Sequence, residues 1–111
     1  MTVEQWSEQI ALVRLSPEPA FSEVMQALRE HLADGGRPQD VVLDMSKVQT
    51  LNSSNLTQLL RIRKRQIESE SKLRLTGLCD EVWSVFNVTG LDKIFEFSED
   101  IPSALATVRM R

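Results

Sequence analysis

The chain is short of the residues that most catalytic, exported or membrane-embedded proteins depend on. Its 111 residues include one cysteine, Cys79, and one histidine, His31. A single cysteine closes no intrachain disulfide, and one Cys with one His cannot by themselves build a zinc site. A reducing cytoplasm is the simplest setting. No stretch approaches the roughly 18 consecutive apolar residues of a membrane helix, and the opening MTVEQWSEQ has neither the basic nor the apolar region of a signal peptide. The chain is therefore expected to be neither exported nor inserted in a membrane. Glycine and proline number four each, too few for a fibrous or low-complexity chain. Neither a Walker-type phosphate loop nor a Rossmann fingerprint is present, which removes the commonest nucleotide-enzyme readings and implies no cofactor. Positive charge is also scarce. Thirteen Lys and Arg against sixteen Asp and Glu leave a net charge of -3 and a pI near 5.1. Nucleic acid and anionic membrane are thereby disfavoured as partners, and any site for a polyanion must be local.

What remains is an ordinary globular composition, 41% hydrophobic and 26% charged. Area scaling predicts an exposed surface of about 6,200 Å² when folded, against about 18,300 Å² unfolded, so a core can form without metals or disulfides. One domain over residues 1–111 is expected.

The hydrophobic pattern alternates between short apolar runs and helical spacings. Ile10 to Leu15 reads as a strand, ended by Ser16-Pro17-Glu18-Pro19, where proline stops pairing and suits a helix start. Phe21, Val24, Met25, Leu28 and Leu32 then recur every three or four residues. They predict a first helix of about three turns, with Asp34-Gly35-Gly36 at its end. Val41 to Met45 is too short for an apolar helix and reads as a buried central strand. The polar set Asn52-Ser53-Ser54-Asn55 precedes Leu56, Leu59, Leu60 and Ile67. A second helix is thus expected to start within Ser53 to Leu56, with Leu56, Leu59 and Leu60 packed inward. Leu73, Leu75 and Leu78 predict a third strand, Val82, Val85 and Phe86 a helix opened by Asp80, and Ile94 to Phe97 a last strand. A terminal helix starts around Asp100-Ile101-Pro102, with Ile101, Leu105 and Val108 facing inward. Strand and helix repeat four times, which selects an α/β arrangement with substantially parallel pairing. Val3 to Trp6 is expected to add an edge strand.

The residues VVLDMSKVQTLNSSNLTQLLRIRKR, then KLRLTGL, then VFNVTGLDKIF, resemble the STAS domain of bacterial anti-sigma factor antagonists. The resemblance covers roughly Ile10 to Val108. It implies a STAS-type α/β fold, a central, mostly parallel or mixed sheet of four to five strands with about four helices. It also implies a regulator of transcription that docks on a serine protein kinase acting as an anti-sigma factor and performs no chemistry itself. In that family a strand ending near the position of Asp44 leads to a loop whose first serine accepts phosphate; that position is Ser53. The acid that usually precedes the acceptor is Asn52 here, and the glycine usually two positions after it is Asn55.

Independently of the family, Ser53 and Ser54 sit where a helix N-terminus favours an anion, although the same two serines can serve simply as helix caps. A phosphate there adds about -1.5 to -2 charges and can repel a closely fitted partner without unfolding the domain. The run Arg61-Ile62-Arg63-Lys64-Arg65 cannot face one way on a helix. It reads either as a solvated face supported by a Lys64 to Glu68 pair or as a docking surface for an acidic partner. The candidate partner-binding set is Asn52, Ser53, Ser54, Asn55, Arg61, Lys64 and Arg65, with Ser53 as phosphoacceptor. His31 and Cys79 have no catalytic partners in sequence, and Trp83 with Phe86 reads as helix packing. Two functions stay open: a phosphorylation-controlled partner of an anti-sigma kinase, or a non-phosphorylated STAS adaptor in a signalling or transport assembly. The oligomeric state is not legible.

Overall fold

In the computed structural model the described residues are 3–33 and 38–109. Five strands form one sheet in the order β1 (Val3–Gln5), β2 (Ile10–Arg14), β3 (Asp40–Asp44), β4 (Leu73–Thr76) and β5 (Phe97–Ser98). β1 runs antiparallel to β2, and the other three pairings are parallel. Three helices connect the parallel strands, α1 (Ala20–Ala33), α2 (Ser53–Glu68) and α3 (Asp80–Thr89), and α4 (Ile101–Arg109) follows β5. This is the expected STAS-type mixed α/β architecture, with Val3–Gln5 as the edge strand.

Strand alternation divides the interior in two. Ala11, Val13, Val41, Leu43 and Leu75 face α1, α2 and α3 through Phe21, Met25, Leu28, Leu59, Ile62, Val82 and Phe86. Ile10, Leu12 and Val42 point the other way, onto Ala104, Leu105 and Val108 of α4. β3 is buried at every position, as a central parallel strand must be. The solvent-accessible surface, 6542 Å², is close to the scaling expectation.

Three expectations shift. α1 is 14 residues long, nearer four turns than three, and the expected Asp34-Gly35-Gly36 end falls outside the described residues. The last strand is not Ile94 to Phe97. Leu91–Lys93 forms a 3₁₀ turn, Phe95 drops into the core, and only Phe97–Ser98 pairs with β4. The turn is seeded by Gly90, which ends α3 at φ +76°, a conformation that glycine adopts at little cost. Finally, of the three leucines expected to face inward, Leu59 is buried, Leu56 is partly buried and Leu60 is 37% exposed; Ile67 is 56% exposed. The inner face of α2 is set instead by Asn55, Leu59, Ile62 and Gln66, at spacings of four, three and four, which leaves Leu60 about 100° round the axis. Gln66 belongs inside because its amide donates to the carbonyls of Gln39 (2.7 Å) and Lys72 (2.8 Å), tying α2 to the starts of β3 and β4.

Candidate functional site

Because β2 to β5 are parallel, the connections β2–α1, β3–α2, β4–α3 and β5–α4 all leave the sheet at one end. Open α/β sheets bind their ligands at that end. The β3–α2 connection begins at Asp44, 8% exposed, whose Oδ1 accepts the Ser46 N–H at 3.1 Å and whose Oδ2 lies 3.6 Å from Arg14 Nη1. Across it sits Gly77 at φ +76°, where an added Cβ would lie 3.1 Å from Ser46 Cβ and 3.2 Å from Asp44 Oδ1. The turn after β4 thus packs on the turn after β3, and only glycine fits.

The polar run at the start of α2 resolves into two pairs. Asn52, not a serine, is the N-cap. Its side chain accepts the Asn55 N–H at 2.7 Å, while Asn55 Oδ1 accepts the Asn52 N–H at 3.1 Å, a reciprocal capping box. Asn55 is buried at 3% exposure, and its Nδ2 donates to Glu18 Oε2 at 3.2 Å. It shapes the start of the helix from within and presents little to a partner. Ser53 and Ser54, released from capping, are exposed. The N–H groups of both lie in the first turn, with no acceptor among the described residues.

Glu18 was not singled out in the sequence, since it lies 37 positions from Asn55 and only the parallel pairing of β2 with β3 brings the two together. Its carboxylate accepts the Ser22 N–H at 2.7 Å and the Ser22 hydroxyl at 2.6 Å, and Gln58 Nε2 in turn donates to Ser22 Oγ at 3.1 Å. These bonds, Ser22 first and Asn55 after it, hold the Glu18 carboxyl below its ordinary titration range. A cleft of about 260 Å³ opens between Pro17, Glu18, Thr50 and Asn52.

Further along α2 the basic run divides as helical geometry requires. Arg61 and Lys64 are exposed. Arg63 Nε donates to the Ile94 carbonyl at 3.0 Å, and Arg65 Nη2 donates to the Leu32 carbonyl, so both are turned onto the fold. Lys64 and Glu68 form no ion pair. Ser53, Leu60, Arg61, Lys64 and Ile67 therefore share the solvent side of α2, two aliphatic side chains among cations. The structure brings together Asn52, Ser53, Ser54, Arg61 and Lys64 on the surface and withdraws Asn55 and part of Arg65.

The remaining candidates stay apart from this surface or serve packing. His31 Nε2 lies 2.9 Å from Gln39 Oε1 and 3.2 Å from Gln5 Oε1, an exposed amide cluster without a nucleophile. Cys79 is half-buried at the N-cap of α3, with Sγ 3.6 Å from the Val48 carbonyl. Phe86 is core, whereas Trp83 is 39% exposed. Among the described residues no cluster of His, Cys, Asp and Glu could hold a metal ion, and no helix is long and apolar enough to cross a membrane.

A family model described as the Mlab STAS domain matches residues 7–98. No curated protein matches by sequence. Several solved structures share the fold. A Thermotoga maritima protein described as an anti-sigma factor antagonist is 20% identical, with 98% of this chain and 92% of that one covered at a TM-score of 0.71. A variant of Moorella thermoacetica RsbS is 17% identical, with coverages of 98% and 96% and a TM-score of 0.77. A chain from the stressosome, described as a signal integration and transduction hub, is also 17% identical, with coverages of 93% and 92% and a TM-score of 0.72. The family match spans most of the chain and the fold agrees with these structures: this chain belongs to the STAS domain family.

Proposed function

We propose that the chain is a single-domain, non-enzymatic interaction module of the anti-sigma factor antagonist kind, working in the cytoplasm. It docks on a kinase-type anti-sigma factor through Asn52, Ser53, Ser54 and the solvent side of α2. One observation carries this reading: two exposed serines open a helix whose outward side continues as Leu60, Arg61, Lys64 and Ile67, an aliphatic pair set in positive charge. Aliphatic side chains left in water beside unpaired cations suit a partner with apolar anchors and carboxylates. That related folds come from RsbS and the stressosome supports a role in protein assembly. In this reading Ser53 is the phosphoacceptor. A phosphate at the first turn of α2 is tolerated by the helix dipole, and it places negative charge against an acidic partner.

A second reading is favoured by the Asn52–Asn55 box. Two neutral amides and Glu18 already fix the loop, and Glu18 adds a carboxylate on the side of the helix start. A loop held this way suits a permanent adaptor in a signalling or transport assembly, with no phosphate cycle.

Incubation with ATP and a kinase-type anti-sigma factor from the same organism, followed by mass spectrometry, separates the two. Phosphate on Ser53 supports the switch, and phosphate on Ser54 alone refutes the acceptor assignment. No phosphate on either the native chain or Asn52→Asp favours the adaptor. Amide chemical-shift mapping with that protein is expected to perturb Ser53, Ser54, Leu60, Arg61 and Lys64; shifts confined to Ile101–Arg109 would move the interface to α4.

A further inference from the structure

A second surface lies at the same end of the sheet but beyond β4, where the sign of the charge reverses. An open cleft of about 590 Å³ is bounded by Gly77 and Leu78 after β4, Asp80 and Trp83 on α3, and Phe97 and Glu99 at the sheet edge. Trp83 is its largest lining side chain. The ring is held edge-to-face against Phe97 with centroids 4.9 Å apart and planes at 86°, and Phe97 is held in the same manner on Phe86 at 5.4 Å.

The polar end of the indole is already used. With the Asn87 amide oriented to satisfy both neighbours, its oxygen accepts from Trp83 Nε1 at 2.9 Å and its nitrogen donates to Asp92 Oδ2 at 3.2 Å. What Trp83 offers to solvent, at 39% exposure, is therefore aromatic surface held in place from two sides. A fixed tryptophan face left in water is a costly arrangement for a fold that could have put a polar residue there.

The rim supplies the complementary clue. Asp80 and Glu99 both line the cleft and are exposed, and among the described residues no Lys, Arg or His lines it. An exposed indole face with carboxylates beside it matches a planar cation. A guanidinium can stack on the ring and donate to the carboxylates at the same time, which an ammonium does less well. Pairing of a whole extended strand on this edge is less suited, because Arg74 Nη1 already donates to the outward Phe97 carbonyl at 3.0 Å and pairs with Glu96 at 3.3 Å.

We infer that the α3–β5 cleft is a second protein-docking site, which receives an arginine side chain of a partner between Trp83, Asp80 and Glu99. The site is separate from the Ser53 surface and opposite to it in charge, so a module using both could bridge an acidic partner on α2 and a basic one here.

The test is a titration of the isotopically labelled full chain with acetyl-Gly-Arg-Gly-amide, against the same peptide carrying citrulline, which keeps the shape and removes the charge. Saturable shifts are expected at the Trp83 indole N–H and at the Gly77, Leu78, Ser98 and Glu99 amides. Citrulline is expected to weaken them by about 3- to 5-fold or more, the scale of an exposed cation–π contact. The double variant Asp80→Asn, Glu99→Gln changes two exposed side chains without altering their size, and Trp83→Leu removes the aromatic face. Each is expected to lose the arginine preference while its spectrum elsewhere stays native. Equal affinity for arginine and citrulline, shifts centred away from the cleft, or full arginine preference in both variants would each overturn the assignment, whatever the fate of the Ser53 surface.

Discussion

The two sides of α2 obey different rules. Inward, Asn55, Leu59, Ile62 and Gln66 are at most 3% exposed; the Asn55 amide is held by Asn52 and Glu18, and Gln66 Nε2 by the Gln39 and Lys72 carbonyls. Outward, Leu60 and Ile67 remain in water among Arg61 and Lys64. The inner side is explained completely by the fold, since a helix covering a parallel sheet must be apolar or internally satisfied there. The outer side is not explained by the fold, because polar residues would serve as well. The difference makes the outer side, and not the inner one, the surface on which the proposed partner would dock.

Substitutions on the inner side should cost most. Leu59→Ala removes a fully buried side chain between α2 and the sheet, and is expected to destabilise by about 2–5 kcal/mol. Denaturant unfolding measures it; a loss under about 1 kcal/mol would mean that the core can close around the gap. Asn55→Ala removes half of the capping box and the bond to Glu18, with an expected cost of about 1–2 kcal/mol.

Ser53→Asp sharpens the contrast from the other side. The dipole at the first turn favours an added negative charge by about 0.3–1 kcal/mol, so stability should hold or rise slightly while partner binding falls. Thermal melts paired with a binding isotherm on the cognate kinase check both halves. Replacing Leu60 and Ile67 together with serine should move stability by no more than about 0.5 kcal/mol per site, yet weaken that same binding. A large loss of stability would break the comparison, because the outer side would then be part of the fold.

The smallest effect concerns Glu18, which joins the two sides. Its folded pKa is depressed, chiefly by Ser22, so its contribution is present above the ordinary value of 4.5 and is lost as the pH falls through the lower folded value. Melting temperatures of the native chain and Glu18→Gln should therefore differ at neutral pH and converge in acid below 4.5. The carboxyl is exposed, which keeps the difference modest.

The sequence by itself determined the alternation of strands and helices, the position of the buried central strand, the start of α2 to within Ser53 to Leu56 and the family, because these depend on local period, caps and a short contiguous motif. The edge strand expected over Val3 to Trp6 forms over Val3–Gln5, in a segment too short for its period to decide the matter. The assignment of Leu60 to the interior failed for a physical reason: several helical stripes fit the apolar residues of α2, and the true one includes Asn55 and Gln66, whose partners lie on distant strands. The last strand shifted because Gly90 starts a 3₁₀ turn that consumes residues an apolar run would give to the sheet. Tertiary structure alone decided that Asn52 caps while Ser53 and Ser54 face solvent, that Glu18 reaches Asn55, and that Trp83 and Phe97 frame a cleft with Asp80 and Glu99. The capping box is local, but two amides and two serines in a row left its membership open; the Glu18 and Trp83 contacts join residues far apart in the chain, and the parallel pairing of β2 to β5, which brings the four connections to one end of the sheet, sets them side by side.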